Sequence, residues 1–127
     1  MFPSELDVRV VDEGYMVLHA FKYIPARGPA ITVPPGFVTD FASIPRGFRW
    51  WITGHGKTRK PAVIHDYLYA TWGSHRDKAD KIFLEALGEV GVSPWKAKLC
   101  YRAVRAFGWA AFKEREDGRY DTKDQGR

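Results

Sequence analysis

The chain is poor in cysteine and has no long apolar run, and each absence excludes a class of protein. Its 127 residues include one cysteine, Cys100, so neither an internal disulfide nor a four-thiolate zinc site can form. No apolar run reaches the length of about 18 residues that a membrane-spanning helix needs. The first residues, MFPSELDVRV, lack a basic region followed by an apolar stretch, so we expect synthesis in the cytoplasm without a signal peptide.

The chain also lacks a dense basic run, although its net charge is +5. No zinc-finger pattern and no aromatic RNA-binding signature occurs, so specific nucleic-acid binding is not expected. A less specific contact with nucleic acid remains a hypothesis. It would use the basic residues of the segment 46–60, which are Arg46, Arg49, Lys57, Arg59 and Lys60.

The first half of the chain has the composition of β-structure. The stretches LDVRVV (6–11) and YMVLHAFKYI (15–24) are rich in strand-forming residues, and the short connection DEG between them predicts a hairpin. AITVP predicts a third strand, and PPG ends it. The following FVTDFASIPR is expected to be extended as far as Pro45.

The second half is expected to be helical. Pro61 suits the first position of a helix that ends at Trp72. A second helix over 75–90 follows an apolar period of three to four residues, with Ser74 as its predicted N-cap. A third helix starts at Ser93-Pro94. Its predicted buried stripe is Trp95, Leu99, Ala103, Ala106, Phe107 and Ala110.

Together these elements predict an α+β fold, with a small antiparallel sheet from residues 5–40 packed against three helices. Residues 1–113 form the expected single domain. The segment 114–127 contains one aromatic and no aliphatic residue. It cannot bury enough apolar surface to order itself, so we expect a flexible charged tail.

Two polar residues interrupt the apolar helix VIHDYLYATW, and they are the first candidates for a site. A short connection makes the first two helices antiparallel neighbours. His65 is therefore expected to face Asp80, with Tyr69 beside it, and Arg76 could join them. One interpretation is a purely structural network that fixes the register of the helices.

The second interpretation is a chemical site that also includes the segment VTDFASIPR. Asp40, Ser43 and Arg46 would lie over the His65 helix, with His65 as general base and Asp80 orienting it. Asp40 and Asp66 would be ligands or electrostatic partners of a hard divalent cation such as calcium or magnesium. A triad of Ser43, His65 and Asp80 is formally possible, but no G-x-S-x-G turn surrounds Ser43.

Four motifs resemble a small uncharacterised family of bacteriophage and prophage proteins. They are VPPGFVTDFASIPR, PAVIHDYLY, RDKADKIFLEAL and CYRAVRAFGWAAF, and they cover about residues 30–112. The resemblance implies a phage or prophage origin, with synthesis in the bacterial host cytoplasm. The polar signature that it implies is Thr39, Asp40, Ser43, Pro45, Arg46, His65, Asp66, Tyr69 and Asp80.

The order His65, Asp66, Tyr69 and Asp80 is also similar to secreted phospholipase A2. Those enzymes carry a His-Asp pair and a tyrosine on one helix, and an aspartate on an antiparallel helix orients the histidine. The cysteine-rich framework and the glycine-rich calcium loop of those enzymes have no counterpart in this sequence. The similarity is therefore one of arrangement and does not indicate kinship.

The functional expectation has two main branches. The first is a virion component associated with the phage tail or neck, whose partners are other phage structural proteins; its incorporation in the particle is part of this expectation. The aromatic and basic segment 46–60 supplies the side chains that protein interfaces favour. The alternative is a hydrolase, metal-assisted in one form, that acts on the bacterial envelope during entry or lysis.

Overall fold

The computed structural model describes residues 1–41, 43–45, 47–48, 50–51, 56–72 and 75–117. Among these residues, five short strands come first and three long helices follow, with helical residues at 47–48 and 50–51 between them, which confirms the α+β prediction. The strands are β1 (Val8–Val11), β2 (Gly14–Val17), β3 (Phe21–Tyr23), β4 (Ile31–Val33) and β5 (Val38–Thr39). The helices are α1 (Gly56–Trp72), α2 (Arg76–Glu89) and α3 (Pro94–Asp117).

The strands form two small antiparallel sheets instead of the single predicted sheet. The order of the first is β1-β2-β5, and the second pairs β3 with β4. The predicted hairpin between β1 and β2 is confirmed, with Val8 opposite Val17. The prediction of one strand over 15–24 is wrong, since β2 ends at Val17 and β3 begins at Phe21. Phe21 and Tyr23 are fully buried and alternate with an exposed Lys22, so β3 has an inner face of its own.

Gly14 determines how closely β5 approaches β2. Its φ is +143°, and a Cβ atom placed there would lie 2.3 Å from the carbonyl oxygen of Thr39. Only glycine fits this contact, because any side chain would displace the Thr39 backbone. The contact matters for the site, because Thr39 begins the segment that reaches α1.

Helix α1 begins five residues before the predicted start, so Pro61 lies inside the helix and not at its first position. Thr58, in the turn before Pro61, is fully buried. Burial of Thr58 anchors this first turn, although Lys57 and Arg59 on either side of it are exposed. The cap of α2 is His75, without a side-chain capping bond, and the predicted cap Ser74 lies outside the described residues.

The face of α3 that packs on α2 differs from the predicted stripe. Trp95 is 65% exposed and Leu99 is 50% exposed, whereas Ala97, Cys100 and Val104 are buried. Small side chains on the packed face let the two helix axes approach closely. The larger residues therefore face outward, and the predicted stripe is wrong at Trp95, Leu99, Ala106 and Phe107, which are all exposed.

Helix α3 extends to Asp117, into the segment predicted as a flexible tail. The remaining tail residues, 118–127, lie outside the described part of the chain. Within the part that is described, no helix has both the length and the apolar character needed to cross a bilayer.

Candidate functional site

His65 and Asp80 meet in the interior between α1 and α2. His65 is fully buried, and Asp80 is 1% exposed. His65 Nε2 lies 2.6 Å from Asp80 Oδ1. The structure thus brings these two residues together as the short connection between the helices predicts.

The second ring nitrogen of His65 contacts the segment that precedes α1. Ser43 Oγ lies 3.0 Å from His65 Nδ1. In the tautomer that donates from Nε2 to the carboxylate, Nδ1 accepts a hydrogen bond from the Ser43 hydroxyl. The rings of Tyr69 and Phe83 flank the imidazole, with centroids 4.3 Å and 4.7 Å away.

Asp80 receives two further donors. The Tyr69 hydroxyl donates to Oδ1 over 2.8 Å, and Arg105 Nη1 donates to Oδ2 over 2.9 Å. Burial, followed by the negative charge of Asp80, raises the pKa of the Tyr69 hydroxyl above its ordinary value. The positive charges of Arg76 and Arg105 act in the opposite direction on this pKa but do not outweigh the rise.

Arg105 was not predicted as a site residue. A salt bridge to Asp80 comes from Arg105 on α3, and the expectation that Arg76 joins the cluster stays a prediction. One signal was available, because Arg105 lies inside the motif CYRAVRAFGWAAF that carries part of the family resemblance.

Asp66 holds the preceding segment onto α1. Its Oδ1 accepts the Ser43 N–H over 3.2 Å, and its Oδ2 accepts the Thr39 hydroxyl. The Thr39 oxygen in turn accepts the Phe41 N–H over 3.1 Å, where Phe41 has a φ of 60°. This left-handed backbone is costly for a bulky residue, so the surrounding contacts must hold it.

These contacts define what we call the polar network. Its members come from the end of β5, from the segment after it and from all three helices: Thr39, Ser43, His65, Asp66, Tyr69, Asp80 and Arg105. Of the other predicted site residues, Asp40 is exposed, and Arg46 lies outside the described residues. The network joins the end of β5 and the segment after it to the three helices.

The structure adds no support for the predicted metal site. Within the described ranges, no group of three or more His, Cys, Asp or Glu residues is placed to hold a metal ion. Both carboxylate oxygens of Asp66 already accept hydrogen bonds from the protein. Binding of calcium or magnesium by Asp40 and Asp66 therefore stays a prediction.

A second candidate site is a groove between α3 and the segment just before α1. Its volume is about 310 Å³. We call it the aromatic–basic groove, and its main lining residues are Phe48, Trp50, Trp51, Trp95, Lys96 and Leu99. Lys96 Nζ lies 5.6 Å from the centre of the Trp95 ring. Cys100 also lines the groove, and burial raises the pKa of its thiol to about 11, so the group stays protonated and unreactive at neutral pH.

The basic residues proposed for nucleic-acid contact do not act as one set. Lys57 and Arg59 are exposed, but Lys60 Nζ lies 3.6 Å from Glu5 Oε1 and 5.8 Å from the centre of the Phe2 ring. Lys60 thus takes part in internal packing. Arg46 and Arg49 lie outside the described residues.

Comparison with known proteins identifies a family. Residues 15–104 match the family described as "Protein of unknown function (DUF1353)". The chain belongs to this family. The matched region of the DUF1353 chain contains six of the seven residues that form the polar network; the seventh, Arg105, follows it directly.

A curated relative is the uncharacterized protein y4jT of Sinorhizobium fredii. It is 36% identical to this DUF1353 chain over 91 residues, which are 69% of the chain and 27% of the relative. The matched region thus spans about a quarter of the relative's length. No solved structure matches the chain. The expected membership of an uncharacterised family is confirmed, and the phage origin stays a proposal.

Proposed function

We propose that the chain is a phage- or prophage-encoded virion component that docks onto tail or neck proteins. The observation that carries the proposal is the exposure of large aromatic side chains at the aromatic–basic groove. Trp50 is 71% exposed and Trp95 is 65% exposed. Trp is among the residues that contribute most to protein–protein binding energy, so an open groove lined by three of them favours a docking role.

The polar network supports this proposal because its contacts suit a structural fastening. His65 and Asp80 have almost no exposed surface, and Ser43 is only 7% exposed. Both ring nitrogens of His65 and both carboxylate oxygens of Asp80 have partners. A buried network in which the members are satisfied rigidifies a fold and specifies its packing.

The surroundings of Ser43 also argue against its acting as a nucleophile. Serine hydrolases use backbone N–H groups near the nucleophile to stabilise the developing oxyanion. Here the Ser43 N–H donates to the Asp66 carboxylate. A carboxylate at this position would repel an oxyanion instead of stabilising it.

A hydrolase of the bacterial envelope remains the second candidate, and one observation favours it. The Ser43 hydroxyl, the His65 ring and the Asp80 carboxylate form a continuous chain of hydrogen bonds of 3.0 Å and 2.6 Å. The same order of groups activates serine in acyl-transfer enzymes. In this candidate, substrate would have to displace the segment that covers His65.

The virion proposal is tested by mass spectrometry of purified phage particles. Particles induced from the strain that encodes the chain are banded by density, and the copy number of the chain per particle is measured. We expect the chain at a fixed ratio to tail or neck proteins. Its absence from banded particles, while it is abundant in the lysate, would contradict the proposal.

The hydrolase candidate is tested with purified variants on isolated bacterial envelopes. His65→Gln removes the general base, and His75→Gln changes an exposed histidine as the matched control. A hydrolase requires envelope degradation by the wild type that Ser43→Ala and His65→Gln abolish and His75→Gln retains. Circular dichroism establishes that each variant is folded, and absence of degradation by the folded wild type removes this candidate.

A further inference from the structure

The charged side chains that line the aromatic–basic groove and the depression beside it are all positive. Lys98 and Arg102 extend the groove along α3, where they border a second depression together with Trp95 and Leu99. The sequence contains no Asp or Glu between Asp40 and Asp66, and none between Ser93 and Lys113. Those two stretches supply every residue that lines the groove.

The large apolar residues that α3 contributes to the groove lie outside the core, whereas Phe48 and Trp51 on the other wall pack partly against it. Trp95 and Leu99 lie on the opposite face of α3 from Ala97, Cys100 and Val104, which are buried. Large exposed apolar side chains that are contiguous and rimmed by polar groups mark interaction sites. The exposed Val10, at 76%, lies alone on β1 and has no such setting.

We infer that the aromatic–basic groove binds an acidic segment of a partner protein, with an aromatic or large aliphatic side chain inserted among the tryptophans. The inference deepens the proposed function, on which it rests, by naming the chemistry of the docking partner. Acidic residues of the segment pair with Lys96, Lys98 and Arg102 at the rim, and the apolar anchor fills the groove.

The shape of the surface favours a protein segment over a bilayer. Helices that lie on a membrane present a continuous apolar face that enters the lipid. Here the apolar side chains surround a concavity of about 310 Å³ that reaches down to Cys100, which is 3% exposed. A concave site with a buried floor accepts a single anchoring side chain, as protein-binding pockets do.

The test measures binding of fluorescently labelled probes to the full-length protein by anisotropy. The main probe is a synthetic peptide in which glutamates surround a central Leu-Trp-Leu. One control peptide replaces the glutamates by lysines, and another replaces Leu-Trp-Leu by Ser-Gly-Ser. Vesicles that contain phosphatidylglycerol and a single-stranded oligothymidylate are tested in parallel.

We expect saturable binding of the acidic peptide with the Leu-Trp-Leu anchor, and at least about tenfold weaker binding of either control peptide. Trp95→Ser should lower the affinity for the acidic peptide by about 30-fold. Lys98→Glu should slow its association and reduce the dependence of binding on salt. Val10→Ser, a matched change of an exposed apolar residue outside the groove, should leave binding unchanged.

The inference is overturned if the acidic peptide does not bind, or if Trp95→Ser and Val10→Ser bind it equally. It is also overturned if vesicles or oligothymidylate bind more tightly than the peptide and lose that binding in Trp95→Ser. Because this assay uses purified protein, its result does not depend on whether the chain is found in phage particles. A groove that binds the peptide in a protein absent from virions would contradict the virion role alone.

Discussion

At the scale of single residues, Asp80 organises the interior of the protein. One carboxylate accepts hydrogen bonds from His65, Tyr69 and Arg105, which belong to two different helices besides its own. An ionised carboxylate that is 1% exposed is tolerated only with such partners, because desolvation of an unpaired charge is costly. Asp80 therefore ties α1 and α3 to α2.

The stability of the fold should depend strongly on this carboxylate. Asp80→Asn keeps the side-chain shape but removes the charge that Arg105 and His65 face, so we expect a loss of about 3 kcal/mol in the free energy of unfolding. Asp77→Asn, one turn earlier on the exposed side of α2, is the matched control and should change it by less than about 0.5 kcal/mol. Urea denaturation followed by circular dichroism measures both, and equal effects would contradict the assigned role.

Two tyrosines should resist ionisation in the folded protein. Burial raises the pKa of Tyr23 and Tyr69, and the carboxylates of Glu85 and Asp80 that accept their hydroxyl hydrogens raise it further. The unfolded chain ionises near pH 10. These two tyrosines therefore leave the free energy of unfolding unchanged below about pH 10. Above that pH they lower it, because only the unfolded state then releases these protons.

Ultraviolet titration of the phenolate absorbance checks this prediction. The chain has six tyrosines, and we expect two of them to ionise only when the protein unfolds at alkaline pH. The double variant Tyr23→Phe, Tyr69→Phe should lose this delayed phase. Ionisation of all six tyrosines together near pH 10, with the fold retained, would show that the two hydroxyls are not held as described.

The contact between His65 and Asp80 could be predicted from the sequence because the two residues lie on helices that follow each other directly in the chain. His65 and Asp80 are joined by two helices and a short connection, so helical periodicity and an antiparallel turn are enough to place them face to face. Arg105 lies on a third helix, whose rotation cannot be derived from periodicity alone. Asp66 accepts hydrogen bonds from Thr39, at the end of β5, and from Ser43 in the loop that follows. The loop has no regular period from which these contacts could be predicted.

At the scale of elements, the segment that follows β5 is fastened at two neighbouring points of α1. Asp66 accepts hydrogen bonds from Thr39 and Ser43, and His65 accepts one from the Ser43 hydroxyl. The Thr39 oxygen also accepts the Phe41 N–H, which holds the left-handed backbone of Phe41. These contacts replace the regular strand pairing that ends at Thr39.

Removal of the Thr39 hydroxyl should loosen this segment without unfolding the sheets. Thr39→Val deletes the donor to Asp66 and the acceptor of the Phe41 N–H, so we expect faster hydrogen exchange at the Phe41, Ser43 and Ile44 amides. Thr71→Val, which removes an exposed hydroxyl bond to Tyr67, is the matched control on α1. Unchanged exchange in Thr39→Val, or faster exchange across β1 and β2 as well, would contradict this assignment.

Helix α3 shows where periodicity fails to determine which face of an element is buried. Two faces of α3 carry apolar residues, and the pattern of larger residues at Trp95 and Leu99 predicted the wrong one. Burial follows the close approach of α2, which the small residues Ala97 and Cys100 allow. The failure is informative, because the large residues left outside form one wall of the aromatic–basic groove.

At the scale of the whole molecule, the two candidate sites differ in their exposure to solvent and in the residues that form them. The polar network lies inside, where the segment after β5 meets the three helices, and its groups bind one another. The aromatic–basic groove lies outside, with exposed tryptophans and only positive charges in the stretches that form it. We propose that the polar network specifies the fold and that the groove binds a partner.

For the proposed virion component, one measurement separates these roles most directly. The gene is deleted from the phage or prophage, wild-type or variant copies are supplied in trans, and the titre of infectious particles is measured. Ser43→Ala removes the hydroxyl that lies 3.0 Å from His65 Nδ1, and Trp95→Ser removes an exposed side chain of the groove. We predict a titre near that of the wild type with Ser43→Ala and Val10→Ser, and a loss of at least about tenfold with Trp95→Ser. A titre abolished by Ser43→Ala but unaffected by Trp95→Ser, with both variants folded, would contradict the account.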